Sequence, residues 1–135
     1  MLTKIKNKKG EKEMRKFTKE HEWVLIEGNE ATIGITEHAA HELGDITFVE
    51  LPVVGEQANV GEVLTIVESV KAASDVFSPV TGVISAANQE LEGNPQLVND
   101  SPEGEGWICK VKNINVSEFD GLMDEAEYRS YIESL

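Results

Sequence analysis

Residues 63–79 read VLTIVESVKAASDVFSP, from Val63 to Pro79. Two runs rich in β-forming residues, Glu62–Ser69 and Ala72–Ser78, flank the pair Val70-Lys71. Antiparallel strands accept a two-residue connection, which would put Val70 and Lys71 at the tip of a hairpin. Such turns favour Asn-Gly or Gly-X because positive φ is needed there. A β-branched valine before lysine breaks that preference, as happens where function overrides local propensity. The alternative is a longer or bulged turn in which valine is tolerated.

Working outward, Glu22–Glu27 and Ala31–Ile35 form a second hairpin around Gly28-Asn29. Thr36 is placed to cap a helix over Glu37–Leu43, with Gly44 as its stop. Strands are expected at Ile46–Leu51, Val83–Asn88 and Trp107–Val111, with Pro52 ending the first. Asn94-Pro95 resembles a helix start running to Val98. Asp124 and Glu127 have capping-box spacing, with Met123 and Tyr128 placed as a hydrophobic staple for a helix reaching residue 134. Many short strands with a turn every ten residues or so predict a mainly β sandwich or barrel with peripheral helices.

The chain has 135 residues, 12 basic and 25 acidic, for a formal charge of −13. Its length fits one domain. Residues 1–19 carry eight basic and two acidic side chains, a net of +6; residues 20–135 carry four and 23, a net of −19. We expect residues 1–16 to be a mobile basic extension, with Met14 an alternative start, and 17–135 to be a single domain. An acidic body argues against nucleic acid and anionic membrane as partners and for a basic protein surface. No apolar run approaches the ~18 residues of a membrane span. The single cysteine, Cys109, excludes an internal disulfide and reads as an inert core thiol. His38 and His41 lie three apart on the short helix without a third ligand, so no metal centre is expected. Trp23 and Trp107 read as core aromatics.

Between Lys19 and Lys110 a single basic residue, Lys71, stands among 17 acidic ones. An exposed ammonium is a poor nucleophile or base; catalytic lysines are desolvated or lie beside other cations. A projecting amine is suited instead to being modified by another enzyme. Acylation would convert it to a neutral amide and hang a long group on a rigid protrusion.

Glu68-Ser69-Val70-Lys71-Ala72-Ala73-Ser74-Asp75 closely resembles the lipoylation signature of the glycine cleavage H-protein family. Further blocks resemble that family in order: Thr18–Val24, Gly34–Ala40, Leu43–Ile46, Val49–Pro52 and Gly104–Trp107. The resemblance spans about Phe17 to Ile132 and departs from the family before Met14. It implies a lipoyl-domain fold, a flattened β-barrel or sandwich with short peripheral helices and a C-terminal helix. It implies (R)-lipoate in amide linkage to Lys71, with Glu68, Ser69, Val70, Ala72 and Asp75 as the recognition stretch and no catalytic residue. The implied role is a carrier. It accepts an aminomethyl group from glycine at a pyridoxal-phosphate decarboxylase and presents it to a tetrahydrofolate-dependent aminomethyltransferase. A flavin-dependent dihydrolipoamide dehydrogenase then reoxidises it. Lipoate-attachment enzymes are implied as further partners. The expected setting is a monomer in the cytoplasm, or in the mitochondrial matrix of a eukaryote, although no transit peptide is evident. A biotin carrier would show Met-Lys-Met where Val70 and Ala72 stand. A 2-oxo-acid dehydrogenase lipoyl domain would show Asp-Lys and a linker to a catalytic domain. A lipoyl relay to other enzymes would use the same arm, and a purely structural β-module would leave Lys71 bare.

Overall fold

The computed structural model describes residues 4–6 and 12–135. The chain forms β1 (Lys4–Lys6), β2 (Lys12–Phe17), β3 (Glu22–Glu27), β4 (Glu30–Ile35), α1 (Glu37–Leu43) and β5 (Ile46–Val49). It continues with β6 (Gln57–Ala58), β7 (Val63–Ser69), β8 (Ala73–Phe77), β9 (Gly82–Ala87), α2 (Glu90–Gly93) and α3 (Leu97–Asp100). Strand β10 (Cys109–Lys112), a 3-10 turn at Val116–Phe119 and α4 (Glu125–Glu133) complete it. The strands make two antiparallel sheets, a larger one ordered β1-β2-β3-β4-β10-β9-β6 and a smaller one ordered β5-β7-β8. They form a sandwich with open-barrel character, as expected of the sequence. The expectation of a mobile extension covers residues 1–16, of which 1–3 and 7–11 lie outside the described residues.

Alternation explains which faces meet. In β3 Val24 and Ile26 face the main core together with Ala31, Ile33 and Ile35 of β4, while Trp23, on the opposite face of β3, is buried in a separate cluster. From the small sheet, Val49, Val67 and Val76 point into the same core, and β9 and β10 add Ile84 and Val111. The β3–β4 turn has Gly28 at φ 64°, the first central position of a two-residue hairpin, where only glycine is at ease. The small sheet's tip is therefore carried by strands whose inner residues are locked in the core.

A second, smaller cluster joins Phe17, Trp23 and Tyr128. Phe17 and Tyr128 stack with ring centroids 4.8 Å apart, which holds α4 against β2. Helix α4 starts with the expected capping box: Asp124 accepts from the Glu127 amide and Glu127 accepts from the Asp124 amide. Met123 packs against the cluster that contains Tyr128, as the staple requires. The Trp23 indole donates to the Pro102 carbonyl at 2.9 Å and lies flat against Gly34. A Cβ at Gly34 would stand 2.7–2.8 Å from that ring, so glycine here is a steric demand.

Some boundaries differ from expectation. Helix α3 starts at Leu97 rather than at Asn94-Pro95, because the segment before it closes as successive turns, the Leu97 amide bonding to the Asn94 carbonyl. Strand β5 stops at Val49 and β10 starts at Cys109. Strand β6, helix α2 and the 3-10 turn carry no sequence pattern strong enough to announce them. Trp107 is only half-buried, with the Lys110 ammonium 5.4 Å from its ring centre.

Replacing Gly34 with alanine forces the Trp23 ring off its contact. A loss of about 1–3 kcal/mol of unfolding free energy is expected, the usual cost of overpacking. Chemical denaturation of Gly34→Ala against wild type measures it, and an unchanged midpoint at equal slope would contradict the packing described.

Candidate functional site

Lys71 stands exposed at the tip of the β7–β8 hairpin. The register runs Glu68 opposite Ala73, Val67 opposite Ser74 and Ile66 opposite Asp75, leaving Ser69 to Ala72 as the turn. Among the described residues, positive φ outside glycine occurs only at His21 and Asn113. Val70 and Lys71 therefore do not need the left-handed region, and the expected conflict between valine and a tight primed turn does not arise.

The reason lies in Ser69. Its amide donates to the Ala72 carbonyl at 2.7 Å. Its Oγ accepts from the Lys71 amide at 3.2 Å and from the Ala72 amide at 3.1 Å, and reaches the Ala72 carbonyl at 3.2 Å. The remaining amide, that of Val70, donates at 3.0 Å to the Asp45 carbonyl, outside the hairpin. All four backbone N–H groups of the tip are thus bonded. The hydroxyl replaces backbone partners that a longer loop would leave to water.

Asp45 is itself held. The Asn99 side chain of α3 accepts from the Ile46 amide at 2.9 Å and donates to the Gly44 carbonyl at 2.8 Å. Gly44 has φ 79° and ends α1, as expected of a helix stop. It also lies under the lysine: a Cβ added there would stand 3.0 Å from Lys71 Cε and 3.7 Å from Nζ. The bare lysine stem leans across Gly44 instead of standing straight out.

Gly44 borders a cleft of about 810 Å³ between α1 and α4, with Asn99, Glu103 and Tyr128 in its wall. At that end of the molecule His21 takes φ 69° and its Nδ1 lies 2.7 Å from the Tyr128 hydroxyl, which lies 2.7 Å from Thr36 Oγ1. The His21 and His38 rings are 4.7 Å apart. His38, three positions from His41 on α1, is half-buried beside His21 while His41 is exposed. Among the described residues no group of three His, Cys, Asp or Glu side chains stands placed to hold a metal ion. Cys109 is fully buried, and burial pushes its thiol up to about 12.

Glu68 and Asp75 are exposed on the outer face of the small sheet, one register step to either side of the Val67–Ser74 pair. Ser69 is the only member of the expected recognition stretch whose side chain makes a hydrogen bond within the tip. Asn99 and the buried Glu22 carried no signal in the sequence. Glu22, 2% exposed, accepts from Thr18 Oγ1 at 2.6 Å and from the Phe77 amide at 3.1 Å, fastening the far end of β8.

A hairpin that presents one lysine from a small sheet, on a mainly β sandwich, defines a carrier-domain architecture, and the comparisons narrow it. The glycine cleavage H-protein family model matches residues 15–135. The glycine cleavage system H protein of Phenylobacterium zucineum is 54% identical over 117 residues, covering 87% of this chain and 97% of that protein. That of Thermotoga maritima is 48% identical over 118 residues, covering 87% and 95%. The crystal structure of a glycine cleavage system H protein from Mycobacterium marinum superposes with a TM-score of 0.79 at 33% identity, covering 90% of this chain and 97% of that one. The chain belongs to the glycine cleavage H-protein family.

Burial, and secondarily His38, holds the His21 ring below its ordinary value of 6.5, against the opposing pull of Glu20 and Glu42. The unfolded chain then takes up that proton more readily, so the His21 contribution is lost as pH falls below about 6.5. Glu22 is held above its ordinary 4.5, chiefly by burial, so acidification favours the fold at that position. Asparagine also tolerates positive φ. In His21→Asn, stability measured at pH 5.5 relative to pH 7.5 should therefore rise compared with wild type. An identical pH dependence in both proteins would reject the assignment.

Proposed function

We propose that Lys71 carries lipoate in amide linkage and that this chain is the non-catalytic arm carrier of glycine cleavage. The observation that carries the proposal is the tip itself: one exposed amine on a turn whose four N–H groups are all bonded, in a member of this family. Lysine plus lipoyl chain gives a tether of about ten bonds, reaching on the order of 10–15 Å beyond the backbone by ordinary bond lengths. Such an arm enters a partner's cleft without the domain itself entering, and docking raises the local concentration of its reactive end. The chemistry belongs to the cofactor and the partners, and the protein supplies placement.

In this reading the dithiolane accepts the aminomethyl group of glycine at the pyridoxal-phosphate decarboxylase. It delivers that group to the tetrahydrofolate-dependent aminomethyltransferase, and dihydrolipoamide dehydrogenase restores the disulfide. The cleft beside Gly44 lies within the arm's reach, and Lys71 already leans toward it. Residues 17–135 act as one carrier domain and work as a monomer in the cytoplasm. Glu68 and Asp75, with the acidic body around them, meet basic partner surfaces.

Intact-mass and peptide mapping of the native protein should find one lipoyl amide, on Lys71. Lys71→Arg should keep the fold and lose both the adduct and support of glycine–bicarbonate exchange by the decarboxylase. Exchange surviving in that variant would overturn the proposal. Exchange rates with wild type at low carrier concentration should fall as salt rises from about 0.05 to 0.5 M, because screening shortens electrostatic reach to a few Å. A flat salt response would remove the electrostatic part.

A further inference from the structure

We propose that the outer face of the β5-β7-β8 sheet beside Lys71, centred on Phe48, is where the enzyme that attaches the arm docks, Phe48 entering an apolar recess rimmed by basic side chains. The inference rests on the lipoyl reading of Lys71. Phe48 pairs directly with Glu68 across β5 and β7, on the solvent side, and is 50% exposed. Val70, 70% exposed, adjoins Lys71 on the turn that follows Glu68. A phenylalanine half in water on a rigid sheet has the form of an interface anchor. Its cross-strand partner Glu68, Asp75 on the same outer face across β7, and Asp45 and Glu50 flanking β5 are all exposed acids. Lys71 is the sole cation of residues 20–109, so the face as built suits a basic rim.

Length decides which partner must cover it. A bare lysine amine reaches only about 6 Å from its Cα by ordinary bond lengths. Attachment joins Lys71 Nζ to the carboxyl carbon of a lipoyl group activated as an acyl-adenylate. The N–C bond forms, the C–O bond to phosphate breaks, AMP leaves with that bonding pair, and the amine proton passes to solvent. The attaching active site must therefore close over the tip. A contact of about 800 Å² on this side, centred on Lys71, extends some 16 Å in every direction. Phe48 faces a residue three positions from Lys71, roughly 10 Å along the strand. Enzymes that read the loaded arm meet its end about 10–15 Å from the backbone instead of about 6 Å, so the acids of this face steer them without the face being buried.

The test uses the unmodified chain with a lipoate–protein ligase, lipoate and ATP, following adduct formation by intact mass. Phe48→Ser is expected to raise KM for the carrier about tenfold with kcat unchanged, and Phe48→Leu to recover most of the loss. Val70→Ser should shift KM the same way by less. Val53→Ser, an exposed valine preceding β6 and outside the tip, should behave as wild type. Thermal melts confirm that each variant is folded, and Val70→Ser alters the fold least. A wild-type KM in both Phe48→Ser and Val70→Ser, or a fall in kcat alone, overturns the inference. So does a Phe48→Ser chain that is lipoylated normally but then slows glycine–bicarbonate exchange, since the face would then serve the loaded arm. A wild-type chain that takes up no lipoate instead rejects the reading of Lys71 itself, whatever Phe48 does.

Discussion

The hydrogen bond from the Val70 amide to the Asp45 carbonyl, 3.0 Å long, ties the lysine tip to a part of the chain that is not its own hairpin. Without it the β7–β8 turn would be anchored only along its strands. With it the tip is fixed to the segment between α1 and β5, and that segment is clamped in turn by both polar atoms of Asn99. The path from α3 through Gly44–Ile46 to Lys71 consists of backbone groups and one buried-side amide. The Gly44 and Asp45 carbonyls and the Ile46 and Val70 amides along it are all bonded, and a buried polar group left unpaired carries a desolvation cost of about 1–3 kcal/mol.

The rest of the fold serves this placement. The small sheet is held by Val49, Val67 and Val76 in the shared core, and Glu22 fastens the far end of β8 through the Phe77 amide. Helix α4 reaches the neighbourhood through Tyr128, which stacks on Phe17 and meets both His21 and Thr36. One aromatic side chain thereby connects the C-terminal helix, the cap of α1 and the strained His21 backbone. Acidic character is spread over the body, while the cations gather in residues 1–19.

The sequence shows much of this because its strongest signals are local. The turn pair Gly28-Asn29 marked β3 and β4, a run of β-forming residues marked β7, and Thr36, Gly44, Asp124 and Glu127 marked helix ends through chemistry confined to one turn. Charge singled out the lone lysine, and the hairpin around it, not charge, gave it a role. What was not legible depends on partners far along the chain. Asn99 matters because Gly44 lies 55 positions away, and no pattern near Asn99 announces that. Ser69 looked like an ordinary strand residue, yet its hydroxyl makes Val70-Lys71 an unstrained turn. Gly44 was legible as a helix stop, but its second duty under the lysine stem needs the tertiary fold. The start of α3 was misplaced for the same reason: Asn94-Pro95 has capping chemistry, and the turns that form there satisfy it without a helix.

Pinning the turn at both Ser69 and Asp45 has a statistical consequence. Bonding of the turn's amides reduces the share of backbone motion in the space that a group hung on Lys71 would sample. The orientations it explores come chiefly from rotation about side-chain and arm torsions around one pivot. Its sampling volume is then a small dome whose centre moves mainly when the whole domain tumbles. In the proposed carrier, a docked enzyme would meet a probe whose distribution is set in advance by covalent lengths, and Gly44 removes the bulk that would otherwise shade one side of that dome.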